Sequence, residues 1–339
     1  MRFAAVFCLA LAALTRTGWG VAGGQVGSPE PQSQVAAGPR VVVRADPRVV
    51  QSFVPAAQPR LRTRESLATI TVLYTGFTPQ AQAAFQHAMN IWASQLTTSV
   101  PIQIEAEFTT LGSGVLGSAG PWLVRNAPGL MANMWYPVAL ANKLTGTDRL
   151  PTTSDIDASF NSSFAWYFGT DGLAPAGTYD FVTVVLHELG HGLGFVGSMS
   201  YNAGSGSWGF SGSPLIYDHF TENGAGQGLL VAFANPSAAL GSQLTSNNLY
   251  FDGPRTRLAN GGSPARIYAP ASWQGGSSYS HLNEQTYPAG NPSSLMTPQL
   301  ASSEAIHDPG PIGRGVLEDI GWTVGVGVLT TPSNLRVIR

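Results

Sequence analysis

Asp180 is followed by FVTVVLHELGHGLGF (residues 181–195), and no other stretch limits the fold so strongly. Asp180 can cap a helix, Val184, Val185 and Leu186 make it apolar, and Gly192 and Gly194 mark its end. The helix is apolar yet carries His187, Glu188 and His191. Positions i and i+4 project from one helical face, so His187 and His191 can grip one Zn²⁺ at ~2.0–2.1 Å each. Glu188 leaves the helix beside that face, placed to take a proton from an activated water. The bland alternative is a helix with surface or core histidines. Two imidazoles and a water underfill a tetrahedral catalytic site, so a third protein ligand is needed.

Gly194 stands three residues past His191, where a sharp turn ends the helix. In the common metzincin pattern a third His follows three residues after that Gly, but here the position is Gly197. The chain resembles instead the leishmanolysin-like branch of the metzincins, where HExxHxxGF is followed by a long insertion, the third His and a Met-containing turn. Ser280-His281-Leu282 lies 90 residues past His191, and Ser294-Leu295-Met296-Thr297-Pro298 follows it. The ending LEDIGW (317–322) resembles the closing helix of that family. The resemblance implies zinc ligands His187, His191 and His281, Glu188 as general base, and Met296 in the turn beneath the metal. It implies an α+β fold: a two-lobed zinc protease with a mixed twisted sheet, an active-site helix and a loop-rich C-terminal lobe with a closing helix. The leishmanolysin group proper is cysteine-rich and often membrane-anchored, and this chain is neither, so a smaller exported bacterial relative fits better.

The other candidates weigh less. His219 lacks a following Met-containing turn and reads as a structural or surface residue. His307 comes after Met296, in the wrong order for a third ligand, and His87 falls near the apolar stripe of an earlier helix. Glu222 would serve in a thermolysin-like site, but that leaves the Gly194–Phe195 turn and LMTP unexplained. Asp155, Asp157, Asn161 and Asp171 offer oxygen ligands for Ca²⁺, yet their spacing matches no EF-hand loop. Tyr217, Tyr279 and Tyr287 are open candidates for an oxyanion donor or a pocket wall.

Around the helix, alternation predicts strands over 68–74 and 100–108, and Thr78-Pro79 opens an amphipathic helix over 79–96. Short extended pieces follow, one near 155–161 that could serve as the edge strand pairing with substrate. A last helix fits around Pro311–Ile320, stopped by Gly321. The catalytic domain would span 66–323, with an upper lobe 66–195 and a lower lobe 196–323. Thr331–Ile338 resembles the first strand of a fibronectin type III domain, and 324–339 reads as a tail.

Met1-Arg2 and the apolar run Phe3–Leu14 read as a signal peptide over 1–22, which implies a secreted or periplasmic protein without a membrane anchor. The sole cysteine, Cys8, lies inside it, so disulfides and thiolate metal sites are excluded from the mature chain. Residues 23–65 read as a disordered linker or as an intramolecular pro-segment. Residues 1–64 hold eight of the 17 basic groups and two acids, leaving nine basic against 17 acidic groups from Glu65 onward, −8. A basic arm precedes an acidic body, and the two attract. A net charge of −2 gives no footprint for nucleic acid, so the partner expected is a protein or peptide substrate. The rival class is a secreted binding or adhesion protein on a protease-like scaffold.

Overall fold

The computed structural model describes residues 33–57 and 67–324. The signal-peptide segment 1–22, the basic residues Arg60, Arg62 and Arg64, and the fibronectin-like ending lie outside the described residues. Among the described residues fifteen strands and seven α-helices follow in chain order: β1 (Gln34–Ala37), β2 (Val41–Val54), β3 (Ile70–Thr75), α1 (Pro79–Ala93), β4 (Ile102–Thr109), β5 (Val115–Arg125), β6 (Trp135–Pro137), α2 (Val138–Thr145), β7 (Ile156–Asn161), β8 (Trp166–Tyr167), β9 (Tyr179–Asp180) and α3 (Phe181–Leu193). Beyond α3 come β10 (Ser200–Asn202), β11 (Ser205–Ser207), β12 (Thr221–Asn223), α4 (Leu229–Ala232), α5 (Ala238–Leu244), β13 (Leu249–Phe251), α6 (Pro254–Ala259), β14 (Ala265–Ile267), β15 (Gln299–Ile306) and α7 (Gly310–Ile320).

The main sheet runs β15-β2-β5-β7-β4-β3, with β1 and β6 also paired to β5. Strands β3, β4 and β7 are mutually parallel, and β5 is antiparallel to β7. The sheet is mixed and helices pack on it, compatible with an α+β arrangement. Two sequence expectations change here. Residues 34–54 are no disordered linker, because β2 pairs antiparallel with β5 and parallel with β15, and β1 pairs with β5. Residues 155–161 are no edge strand either, because β7 is flanked by β4 and β5. Alternation reports which face is buried, not which neighbours a strand has. The segment 196–323 also returns a strand, β15, to the sheet that 66–195 begins.

Helix α1 starts as its sequence demands. The Thr78 side chain accepts from the Ala81 amide at 3.2 Å, Pro79 holds the first turn, and Ala81, Ala84, Phe85, Ala88 and Trp92 are buried. The Trp92 indole N–H donates to the Leu186 carbonyl at 3.0 Å, tying α1 to α3. Every residue of α3 is buried, as befits a helix enclosed on all sides. Phe77, Phe85, Phe160 and Phe181 meet largely edge-to-face between α1, the sheet and the start of α3. At the other end, the Trp322 indole N–H donates to the Leu193 carbonyl at 2.8 Å, so the turn closing α7 ties to the end of α3.

The buried Asp180 carboxylate fixes where α3 begins. Its Oδ1 accepts from the Thr183 amide at 2.8 Å and the Thr183 hydroxyl at 2.6 Å, and lies 3.0 Å from His307 Nε2. Replacing Asp180 by Ala removes a cap and leaves those donors buried, an expected loss of about 1–3 kcal/mol. Urea unfolding checks this, and a loss under ~0.5 kcal/mol would contradict the assigned cap.

Candidate metal centre

Two segments far apart in sequence bring His187, His191 and His281 together, all buried. His187 and His191 sit a turn apart on α3, and His281 comes from the irregular segment after β14. Their Nε2 atoms stand 2.9 Å (His187–His191), 3.2 Å (His187–His281) and 3.2 Å (His191–His281) apart. Each Nδ1 faces a backbone carbonyl: Leu295 at 2.6 Å for His187, Phe195 at 2.7 Å for His191, Ser277 at 2.6 Å for His281. A carbonyl only accepts, so each Nδ1 carries the proton and each Nε2 presents a lone pair. Burial pushes all three imidazoles toward the neutral form, His187 down to about 4, and the neighbouring rings push His191 and His281 further down.

Three lone pairs at this spacing repel unless a cation sits among them. Nitrogens ~2.0–2.1 Å from one tetrahedral ion stand about 3.3 Å apart, close to the spacing found. The residues therefore fit a divalent metal by their chemistry. Among the described residues no other group of three or more His, Cys, Asp or Glu gathers in this way.

Glu188 is wholly buried beside this group, and burial raises its carboxyl to about 8, against the pull of the Val43 amide, Arg40 and the Ala119 amide. Oε1 accepts from the Val43 amide at 3.1 Å. Oε2 is buried and within hydrogen-bonding distance of no donor among the described residues.

Glycines let the parts approach. A Cβ on Gly117 of β5 would stand 2.8 Å from Glu188 Oε1 and 2.9 Å from its Cγ, so β5 comes this close to the Glu188 side chain because the residue is glycine. A Cβ on Gly190 would stand 2.7 Å from Met296 Sδ, which places the buried Met296 directly against the histidine-bearing helix. The turn Ser294–Met296 is tied in twice, through Leu295 to His187 and through the Met296 carbonyl to the Leu282 amide at 2.8 Å. At Gly197 a Cβ would fall 2.1 Å from the Tyr279 ring, so tyrosine fills the place of a local third His.

The remaining sequence candidates lie elsewhere. His219 is exposed, Glu222 sits on β12 outside the imidazole group, and the His307 and His87 rings neighbour each other, with His307 on Asp180. Asp155 accepts from the Gln103 amide and the Asn142 side chain, and Asp157 from Ser154 and Trp122. Asn161 bonds the Val115 carbonyl and Ser163 amide, while Asp171 accepts from Tyr167, so these four are taken up by protein partners rather than gathered round an ion. The Tyr279 hydroxyl meets Thr221 and Asp218, Tyr217 donates to the Tyr279 carbonyl, and Tyr287 accepts from the Arg266 amide, all within the lower part of the chain. Sequence reasoning missed Gly117 and Val43. The β-branched run Val41–Val43 was the one available signal for the latter.

Gly117→Ala is expected to cost about 1–3 kcal/mol, because both α3 and β5 are buried and neither can yield cheaply. Gly112→Ala, whose Cβ meets nothing within 4 Å, is the neutral control. Equal unfolding midpoints in urea would contradict the close approach.

A family model described as SPBPB7E8-like matches residues 120–221. The match takes in His187, Glu188 and His191 and ends before His281 and Met296. No curated protein and no solved structure matches the chain.

Proposed function

We propose that the chain is a secreted zinc-dependent endopeptidase, similar to the leishmanolysin-like metzincins, that hydrolyses peptide bonds in protein or peptide substrates. The convergence of three Nε2 lone pairs beside a buried carboxylate carries this reading. His187, His191 and His281 would hold the ion, and Met296 would support it from beneath α3. Zn²⁺ supplies Lewis-acid polarisation of a carbonyl and lowers the pKa of a water to about 7.

The protein's own groups do the rest. The three backbone carbonyls fix the imidazole planes and tautomers, so the ligand set is organised before any ion arrives. Glu188 accepts a proton from the attacking water on its free Oε2 and returns it to the departing amide nitrogen. Its burial suits both halves, because a carboxyl raised toward neutrality can hold the proton between them. A purely structural ion would have no use for this carboxylate, which disfavours the binding or adhesion alternative.

One zinc per chain is expected in the purified protein. His281→Ala should lower occupancy at least tenfold, whereas the exposed His219→Ala should not. Equal zinc in both variants would overturn the ligand set. Casein hydrolysis, assayed before and after limited trypsin treatment with the trypsin then quenched, should be abolished by chelation and restored by zinc. Glu188→Gln should keep the metal and lose about 10²–10⁴-fold in rate. Parental rates from that variant would refute the assigned base.

A further inference from the structure

Strand β2 runs against α3 beside the candidate centre, and one of its amides is bonded unlike those of an ordinary sheet strand. Successive amides alternate between the two sides of a slot. The Val42 amide donates to the Gly276 carbonyl at 2.9 Å and that of Arg44 to Pro298 at 3.0 Å. On the other side, the Ala45 amide donates to Gly114 at 2.9 Å, but the Val43 amide donates to the Glu188 carboxylate at 3.1 Å. The β2–β5 register slips at this point, between Val43 and Arg44. β5 pairs antiparallel with Val41–Arg44 and β15 parallel from Arg44 onward, so the two walls overlap at Arg44 and the Gly276 carbonyl faces Val42 opposite β5. Without β2 both would present a row of unpaired N–H and C=O groups, a template for an extended chain of this polarity.

Peptide hydrolysis demands that the general acid reach the nitrogen of the bond being cut. The Val43 nitrogen is the backbone nitrogen of β2 that meets Glu188. The Val43 side chain, only 2 % exposed, itself lines a small closed void together with the apolar Val184, Leu295, Leu300 and Ile306 and the polar Ser294 and Gln299. Arg40 anchors the upstream end through the Ser118 carbonyl at 2.8 Å and the Ser159 hydroxyl at 3.1 Å.

We infer that Val41–Asp46 occupies the substrate channel in the polarity of a substrate, with the Val42–Val43 peptide at the point of cleavage, so that the intact chain is latent and the channel selects a β-branched aliphatic residue on the amine side of the bond it cuts. This rests on the peptidase reading of the same site and adds the occupant, its register and the side chain selected. Release requires a cut downstream of β2, and Arg60, Arg62 and Arg64 supply tryptic bonds there.

The test compares the intact zinc-loaded protein with protein nicked by trypsin within 58–66 and freed of its N-terminal fragment by gel filtration, the cut being located by mass spectrometry. Nicking should raise the rate on a peptide library at least tenfold, with Val or Ile enriched just after the cut bond. A synthetic peptide of residues 38–50 should then inhibit competitively, and the same peptide with Val43→Asp at least tenfold less well. Val43→Asp in the full chain should raise basal activity without nicking, its folding checked by circular dichroism.

Binding of the fluorescently labelled peptide to the stripped protein, read by anisotropy, is independent of turnover. Specific binding weakened by Val43→Asp, without hydrolysis in any form, would uphold the occupant and sink the peptidase reading. An intact chain as fast as the nicked one would overturn the inference. So would a stripped protein that ignores the peptide, or a nicked one that is active with its β2 fragment still bound.

Discussion

Three imidazole lone pairs held within about 3 Å of one another, in a site closed to water, are the constraint on which the structure depends. Nothing in a protein places such groups together cheaply. Each ring is pinned by its other nitrogen to a backbone carbonyl, and those carbonyls belong to Leu295, Phe195 and Ser277, on three separate turns. The Gly194 turn, the segment around His281 and the turn at Met296 are therefore parts of one support. Gly190 lets Met296 press against α3, and Gly117 lets β5 press against Glu188.

The same support explains why α3 is apolar throughout. It is packed by α1 through Trp92, by β5 at Gly117, by the Met296 turn and, at its far end, by Trp322. A helix so enclosed can hold a carboxylate and two imidazoles in low dielectric, where burial keeps the rings neutral and Glu188 easily protonated. The N-terminal arm completes the enclosure. Its strand β2 pairs with β5 and then with β15 and brings the Val43 amide to the Glu188 carboxylate.

Much of this was legible in the sequence where the signal is local. Asp180 and Gly194 bound α3, Thr78-Pro79 starts α1, and Gly321 stops α7, because caps and stops act on the adjoining backbone alone. Spacing on one helix put His187 and His191 together. The order His281 then Met296, taken from a family resemblance, named the two distant residues that the structure brings to them. Non-local facts were out of reach. Val41–Val43 runs into Arg44, Asp46 and Pro47, so β2 shows no clean alternation, and its place is set by partners β5 and β15 that lie far along the chain. The strand at 156–161 reads equally well as edge or interior until its neighbours are known. The vacancy at Gly197 likewise hides the Tyr279 ring that fills it.

Zinc K-edge X-ray absorption on the purified protein reads the ligand set of the three imidazoles itself. Three nitrogen scatterers at about 2.0–2.1 Å with imidazole multiple scattering, completed by oxygen, are expected, and one nitrogen fewer in His281→Ala. A first shell of only two imidazoles, or one unchanged by His281→Ala, would contradict that ligand set.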